Sequence, residues 1–149
     1  MTKNKIKTGI ITLFAGMNFL IINGIFANLS YAGDIMVIGN KDVPVSELSI
    51  NEIRSIFLGE KVKWNNDQAI TFVILKTDLH DAFLKEYVGN TASQYRNYWR
   101  KMVFTGKSKS PKSFNTPEEL IGYISDTRGA IGYIPSEAYQ DKVKTISVK

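Results

Sequence analysis

The sequence predicts an α/β domain. Short continuous apolar runs alternate with amphipathic stretches, reciprocal S/T-x-x-E/Q pairs stand at the head of two of those stretches, and glycines close several runs. Ile35-Met36-Val37-Ile38 is an apolar run that ends at Gly39-Asn40, and it reads as a buried strand. Residues 43–48 read as a loop around Pro44. Ser49 and Glu52 form a capping box, after which Ile50, Ile53, Ile56 and Phe57 repeat at helical spacing until Gly59 stops the helix. Trp64-Asn65-Asn66-Asp67 is a turn whose aromatic plugs the base of the domain, and residues 70–75 are the second buried strand. Asp78 is placed as the cap of a short helix whose apolar face is Ala82, Phe83 and Tyr87.

Thr91 and Gln94 form the second capping box and open a helix through Tyr95, Tyr98, Trp99, Met102 and Val103. Tyr95, Trp99 and Met102 share one face, which assigns the two aromatics to the core. Residues 105–114 read as a polar, lysine-rich loop. Thr116-Pro117-Glu118-Glu119 combines a cap, a first-turn proline and acids near the helix N-terminus, and it starts a helix carrying Leu120, Ile121 and Ile124. Residues 129–134 form the third strand, with Gly129 and Gly132 at positions of positive φ or close backbone approach. Residues 145–148 are a last strand.

The 149-residue chain has room for one such domain. Its start is of another kind. Lys3, Lys5 and Lys7 precede an uncharged apolar stretch over residues 8–32, and Ser30-Tyr31-Ala32 presents small residues at the spacing of a signal-peptidase site. The expected organisation is a secretory signal over residues 1–32 and a domain over 33–149, exported and most simply periplasmic. The alternative is an N-terminal membrane anchor, because the uncharged run is about the ~20 residues a spanning helix needs. Removing the leader takes away three lysines and no acid, so the formal charge falls from +5 to +2. That charge does not call for nucleic acid. The chain has no cysteine, which excludes disulfides, thiol redox chemistry and cysteine metal sites.

No nucleophile–base–acid set is present: there is a single histidine, His80, and no paired carboxylates at a catalytic spacing. The chain reads as a non-enzyme without a cofactor. Open α/β sheets hold ligands beyond the C-terminal ends of their strands, which nominates Lys76, Thr77, Asp78, Leu79 and His80 after the second strand. Thr105, Gly106, Lys107 and Ser108 form a second candidate edge. Gly106-Lys107-Ser108 is not a phosphate-binding P-loop, because Lys101 stands where its first glycine belongs and a helix precedes it.

The residues Leu48-Ser49 through Ile56-Phe57-Leu58-Gly59, followed by Trp64 and Ile70, resemble the start of the second lobe of phosphate-type periplasmic substrate-binding proteins, the type II binding proteins that serve ABC transporters. Trp99, Phe104-Thr105-Gly106, Pro111 and Gly129-Ala130-Ile131-Gly132-Tyr133 are similar to later landmarks of short exported proteins with that domain. The resemblance implies a single binding-protein-like lobe, with a mixed or mostly parallel sheet and flanking helices. It also implies a small anion as ligand and an ABC transporter as partner. The family's phosphate loop resembles an Arg, three residues, then Ser-Gly-Thr. Aligned from Ile70 to Phe83, those positions fall on Leu75 and on Leu79, His80 and Asp81, so none of the motif is kept. An envelope interaction or accessory protein that keeps the scaffold without phosphate binding is therefore the alternative, and the oligomeric state is open.

Overall fold

The computed structural model describes residues 34–149; the expected leader lies outside the described residues. The elements follow as β1 (Ile35–Gly39), β2 (Glu47–Leu48), α1 (Ile50–Phe57), β3 (Thr71–Leu75), α2 (Asp78–Phe83), α3 (Ala92–Phe104), β4 (Lys112–Phe114), α4 (Pro117–Asp126), β5 (Ala130–Pro135), β6 (Lys144–Thr145) and β7 (Ser147–Val148). A single π-helical turn, Leu84–Val88, extends α2. Among the described residues no helix is long and apolar enough to cross a membrane.

Both capping boxes form. The Ser49 hydroxyl accepts from the Glu52 amide at 3.2 Å while the Glu52 carboxylate accepts from the Ser49 amide at 3.0 Å. Thr91 and Gln94 repeat the exchange at 3.2 and 2.9 Å. These bonds satisfy amide donors that a helix start leaves without partners. Thr116 caps α4 through the Glu119 amide, with Pro117 in the first turn. Thr77, not Asp78, is the cap residue of α2, and its side chain makes no capping bond; Asp78 is the first helical residue. Its carboxylate still suits the positive end of the helix.

The main sheet has the order β4-β3-β5-β1-β6. β3 runs parallel to β4 and β5, and β1 runs antiparallel to β5 and β6. The fold is thus a single α/β lobe with a mixed sheet and flanking helices. Three expectations change. The polar loop expected over 105–114 ends as the edge strand β4, because Lys112, Ser113 and Phe114 pair with Val73, Ile74 and Leu75. The loop around Pro44 ends in β2, which pairs with β7 in a separate parallel ribbon. The expected strand at 145–148 is two strands in different sheets, and between them Ile146 donates to the Val37 carbonyl at 2.9 Å and is itself buried.

The core is aromatic on one face of the sheet. Phe83 stacks on Tyr133 at 3.8 Å between centroids, and Phe57 meets Phe83 at 4.7 Å. Trp64 is buried and its indole N–H donates to the Gly129 carbonyl at 3.0 Å, so it seals the base as expected. On the other face α4 packs so closely that Gly132 faces the side chains of Ile124, Val73 and Leu120 with no room for a methyl group. Asn40 is the one buried polar residue of the described core. Its amide donates to the Ile124 and Ser125 carbonyls at 2.8 and 3.0 Å and so ties β1 to the end of α4. The Asp42 carboxylate accepts from Arg128 Nε at 2.7 Å, Gln68 Nε2 at 2.8 Å and the Gly129 amide at 3.0 Å.

Candidate functional site

The parallel pair β3–β4 ends beside α2, and α3 lies across the same sheet face. Between them is a groove of about 910 Å³. Ile74 and Lys76 come from the end of β3, His80 and Asp81 from α2, and Ser110, Pro111 and Ser113 from the approach to β4. The long wall is α3, which presents Ala92, Tyr95, Arg96, Trp99, Arg100, Val103 and Phe104. Helical geometry explains this wall: Tyr95 and Trp99 are one turn apart, as are Arg96 and Arg100, so aromatics line the floor and guanidinium groups the rim. Lys76, Arg96 and Arg100 oppose one carboxylate, Asp81, so the groove carries an excess of positive charge over an apolar floor.

Of the nine residues nominated from sequence, the groove takes Lys76 and His80. Thr77 and Asp78 are exposed but do not line it, and Leu79 is buried in the core. Thr105, Gly106, Lys107 and Ser108 stay outside it, although their loop continues into Ser110 and Pro111, which do line it. Arg96, Arg100 and Ser113 were not nominated. The four-residue spacing of the arginines was the available signal; that it faces a groove depends on β4, which the sequence did not reveal.

His80 is half-buried. Its Nδ1 lies 2.5 Å from the Tyr133 hydroxyl, and that oxygen accepts from the Leu75 amide at 3.3 Å. Burial pushes the His80 pKa below its ordinary value because it disfavours the imidazolium, while Asp81 pulls the other way. The ring is therefore predominantly neutral at pH 7, and its Nδ1 shares a hydrogen bond with the Tyr133 hydroxyl, which also lies 3.4 Å from the Leu75 carbonyl oxygen. Burial likewise raises the Tyr133 and Tyr95 phenols well above their usual range, so both are protonated at pH 7. The Tyr95 hydroxyl donates to the Phe57 carbonyl at 2.8 Å. The Trp99 indole N–H is buried and makes no hydrogen bond of sound geometry, although it lies near enough to Tyr95 to offset part of the burial effect on that phenol. Among the described residues no three His, Asp or Glu side chains converge on a metal position. The arrangement can hold an anion with an apolar body; it presents no activated nucleophile.

Several solved structures share the fold. A protein of Clostridium perfringens, described as a phosphate ABC transporter substrate-binding protein and solved with bound phosphate, superposes with a TM-score of 0.60 at 23% identity, over 76% of this chain and 44% of that one. An ABC-type phosphate transport receptor from Vibrio cholerae gives 0.53 at 18% identity, over 76% and 45%. PstS from Borrelia burgdorferi gives 0.58 at 14% identity, over 77% and 47%. The chain thus spans less than half the length of these proteins. No curated protein matches it. The family profile of the PBP superfamily domain covers residues 12–148, and on that match the chain belongs to the PBP superfamily.

Proposed function

We propose that this chain is an exported, non-catalytic binding lobe that takes a small organic anion in the groove between β3, α2 and α3. The observation that carries the reading is the charge of that groove: Lys76, Arg96 and Arg100 against Asp81 alone, above Ile74, Tyr95 and Trp99. Its volume falls within the few hundred to ~1,000 Å³ of typical small-molecule sites. A bare phosphate fits it less well than a carboxylate on an apolar body. Leu75 and Leu79, which stand where the resembled phosphate loop has Arg and Ser, are both buried in the core, and the apolar floor gives an inorganic ion nothing to contact. The relation to ABC-transporter binding proteins supports a transporter as the partner, and the leader over residues 1–32 supports export to the periplasm, with membrane anchoring as the variant of that reading.

Isothermal titration with phosphate, sulfate, and aliphatic and aromatic monocarboxylates tests the proposal. An aromatic carboxylate should bind and phosphate should not. A charge-assisted bond is worth about 1.5–3 kcal/mol, so Arg96→Ala or Lys76→Ala should weaken binding roughly tenfold or more. Flat heats with every ligand at millimolar concentration would sink the small-ligand reading and leave the lobe as an accessory protein of the envelope.

A further inference from the structure

Charge is segregated along this chain. Residues 87–117 contain Arg96, Arg100, Lys101, Lys107, Lys109 and Lys112 and no acid, whereas the remaining described residues hold ten basic and fourteen acidic side chains. None of the six takes part in any of the ion pairs found among the described residues. Lys112 is engaged differently, with its ammonium 4.4 Å from the Tyr123 ring centroid. The others lie along α3 and the loop after it. At the junction of helix and loop stands Phe104, 91% exposed, beside Val103 at 42%. No other large apolar side chain of the described surface is nearly so exposed.

Lys101 has an ordinary explanation, since a cation in the last helical turn complements the helix dipole. That explanation does not reach Lys107 and Lys109, which lie beyond the helix, nor a phenylalanine projecting into solvent among four cations. We infer that the C-terminal tip of α3, with the loop through Lys109, is a docking surface for an anionic lipid bilayer. Phe104 and Val103 enter the interfacial region, and Arg100, Lys101, Lys107 and Lys109 meet the lipid phosphates. Charge complementarity selects the bilayer: basic side chains around an apolar tip match a surface that is anionic outside and apolar beneath. An acidic protein would satisfy the cations but not account for the protruding ring. The surface shares Arg100, Val103 and Phe104 with the end of the groove, whereas Lys101, Thr105, Lys107 and Lys109 do not line it and so separate lipid docking from ligand binding.

The absence of cysteine permits a single-site test on the full chain. Thr105→Cys carries an environment-sensitive fluorophore at the tip; Lys142→Cys, beside β6 at the sheet edge opposite β4, carries it in the control. With phosphatidylglycerol vesicles the tip label should shift to the blue and the control label should not, whatever the leader does. Phosphatidylcholine vesicles should leave both unchanged, and about 0.5 M salt should reverse the shift. Each of Lys101→Gln, Lys107→Gln and Lys109→Gln should raise the lipid concentration for half-maximal shift about fivefold, without altering ligand heats in the titration above. A tip label that stays unshifted on vesicle-bound protein, or that responds equally to zwitterionic lipid, overturns the inference. So does a shift produced by poly-glutamate and not by vesicles, which would make the surface a protein-docking one.

Discussion

Alanine at Gly129, Gly132 and Gly106 separates two costs that glycine avoids. Gly106 has φ +68° and open space around an added methyl group, so Gly106→Ala meets only the left-handed backbone, at about 1 kcal/mol. Gly132 has no positive φ, but a Cβ would lie 2.9 Å from Ile124 Cδ1, 3.1 Å from Val73 Cγ2 and 3.2 Å from Leu120 Cδ2. Those are side-chain ends that can yield, and such overpacking costs about 1–3 kcal/mol. Gly129 combines both problems. Its φ is +71°, and a Cβ would stand 2.2 Å from the Ala69 carbonyl oxygen, which is main chain and cannot rotate away. Relief requires moving a segment held by the Trp64 indole on the Gly129 carbonyl, the Thr71 amide on the same oxygen, and the Gly129 amide on Asp42. With hydrogen bonds at about 1 kcal/mol each added to the backbone strain, Gly129→Ala should cost about 4 kcal/mol, a large share of the ~5–15 kcal/mol of a typical domain. Urea unfolding followed by tryptophan fluorescence measures all three. If Gly129→Ala unfolds within about 1 kcal/mol of Gly106→Ala, the account of this turn is wrong, since both share the same φ cost.

Asn40→Ala removes the donors to the buried Ile124 carbonyl and the half-buried Ser125 carbonyl; it should lower stability by about 1–3 kcal/mol in the same unfolding assay, and an unchanged midpoint would dismiss the tie between β1 and α4. His80 is the only histidine, so its imidazole proton resonances titrate in isolation. Burial depresses its folded-state pKa below the ordinary 6.5, so the unfolded chain takes up this proton first. The stability that neutral His80 contributes is therefore full above pH 6.5 and is lost as pH falls from there through the folded value. An NMR midpoint below 6.5, and a flattening of that pH dependence in His80→Asn, are the expected results; a midpoint above 6.5 would contradict the buried neutral ring.

Most of the fold was legible because local chemistry and tertiary placement agree. The capping pairs Ser49/Glu52 and Thr91/Gln94 specify helix starts without reference to the rest of the molecule, and both form. The apolar runs that became β1, β3 and β5 are covered on both faces over most of their length, with β3 half-buried on the Phe72 and Ile74 side, so they need no alternation to be recognised. What escaped are elements whose evidence is not local. β4 is three residues of lysine, serine and phenylalanine, and only its pairing with β3 makes it a strand. β2 and β7 define one another across a hundred residues of chain. The candidate site suffered most. Lys76 and His80 could be nominated from the end of a strand, but the opposing wall comes from α3: the helical spacing of Tyr95 and Trp99 turns that face inward without telling that it meets the end of β3. The surroundings of His80 are likewise not local: Tyr133, which its ring meets, lies on a strand 53 positions away.

The pairing of β1 with β5 bears on how the chain reaches this structure. Ile35 pairs with Pro135 and Gly39 with Ile131, so the contacts at the centre of the sheet close loops of 92 to 100 residues. Non-local pairing of this kind slows folding, because loop entropy is lost before the contact is gained. As the chain emerges from the ribosome, β1 therefore has no antiparallel neighbour until β5 has been made, and until then the α1 and α3 faces have no finished sheet to cover. Closure of the central sheet is therefore among the last events that the order of the chain allows.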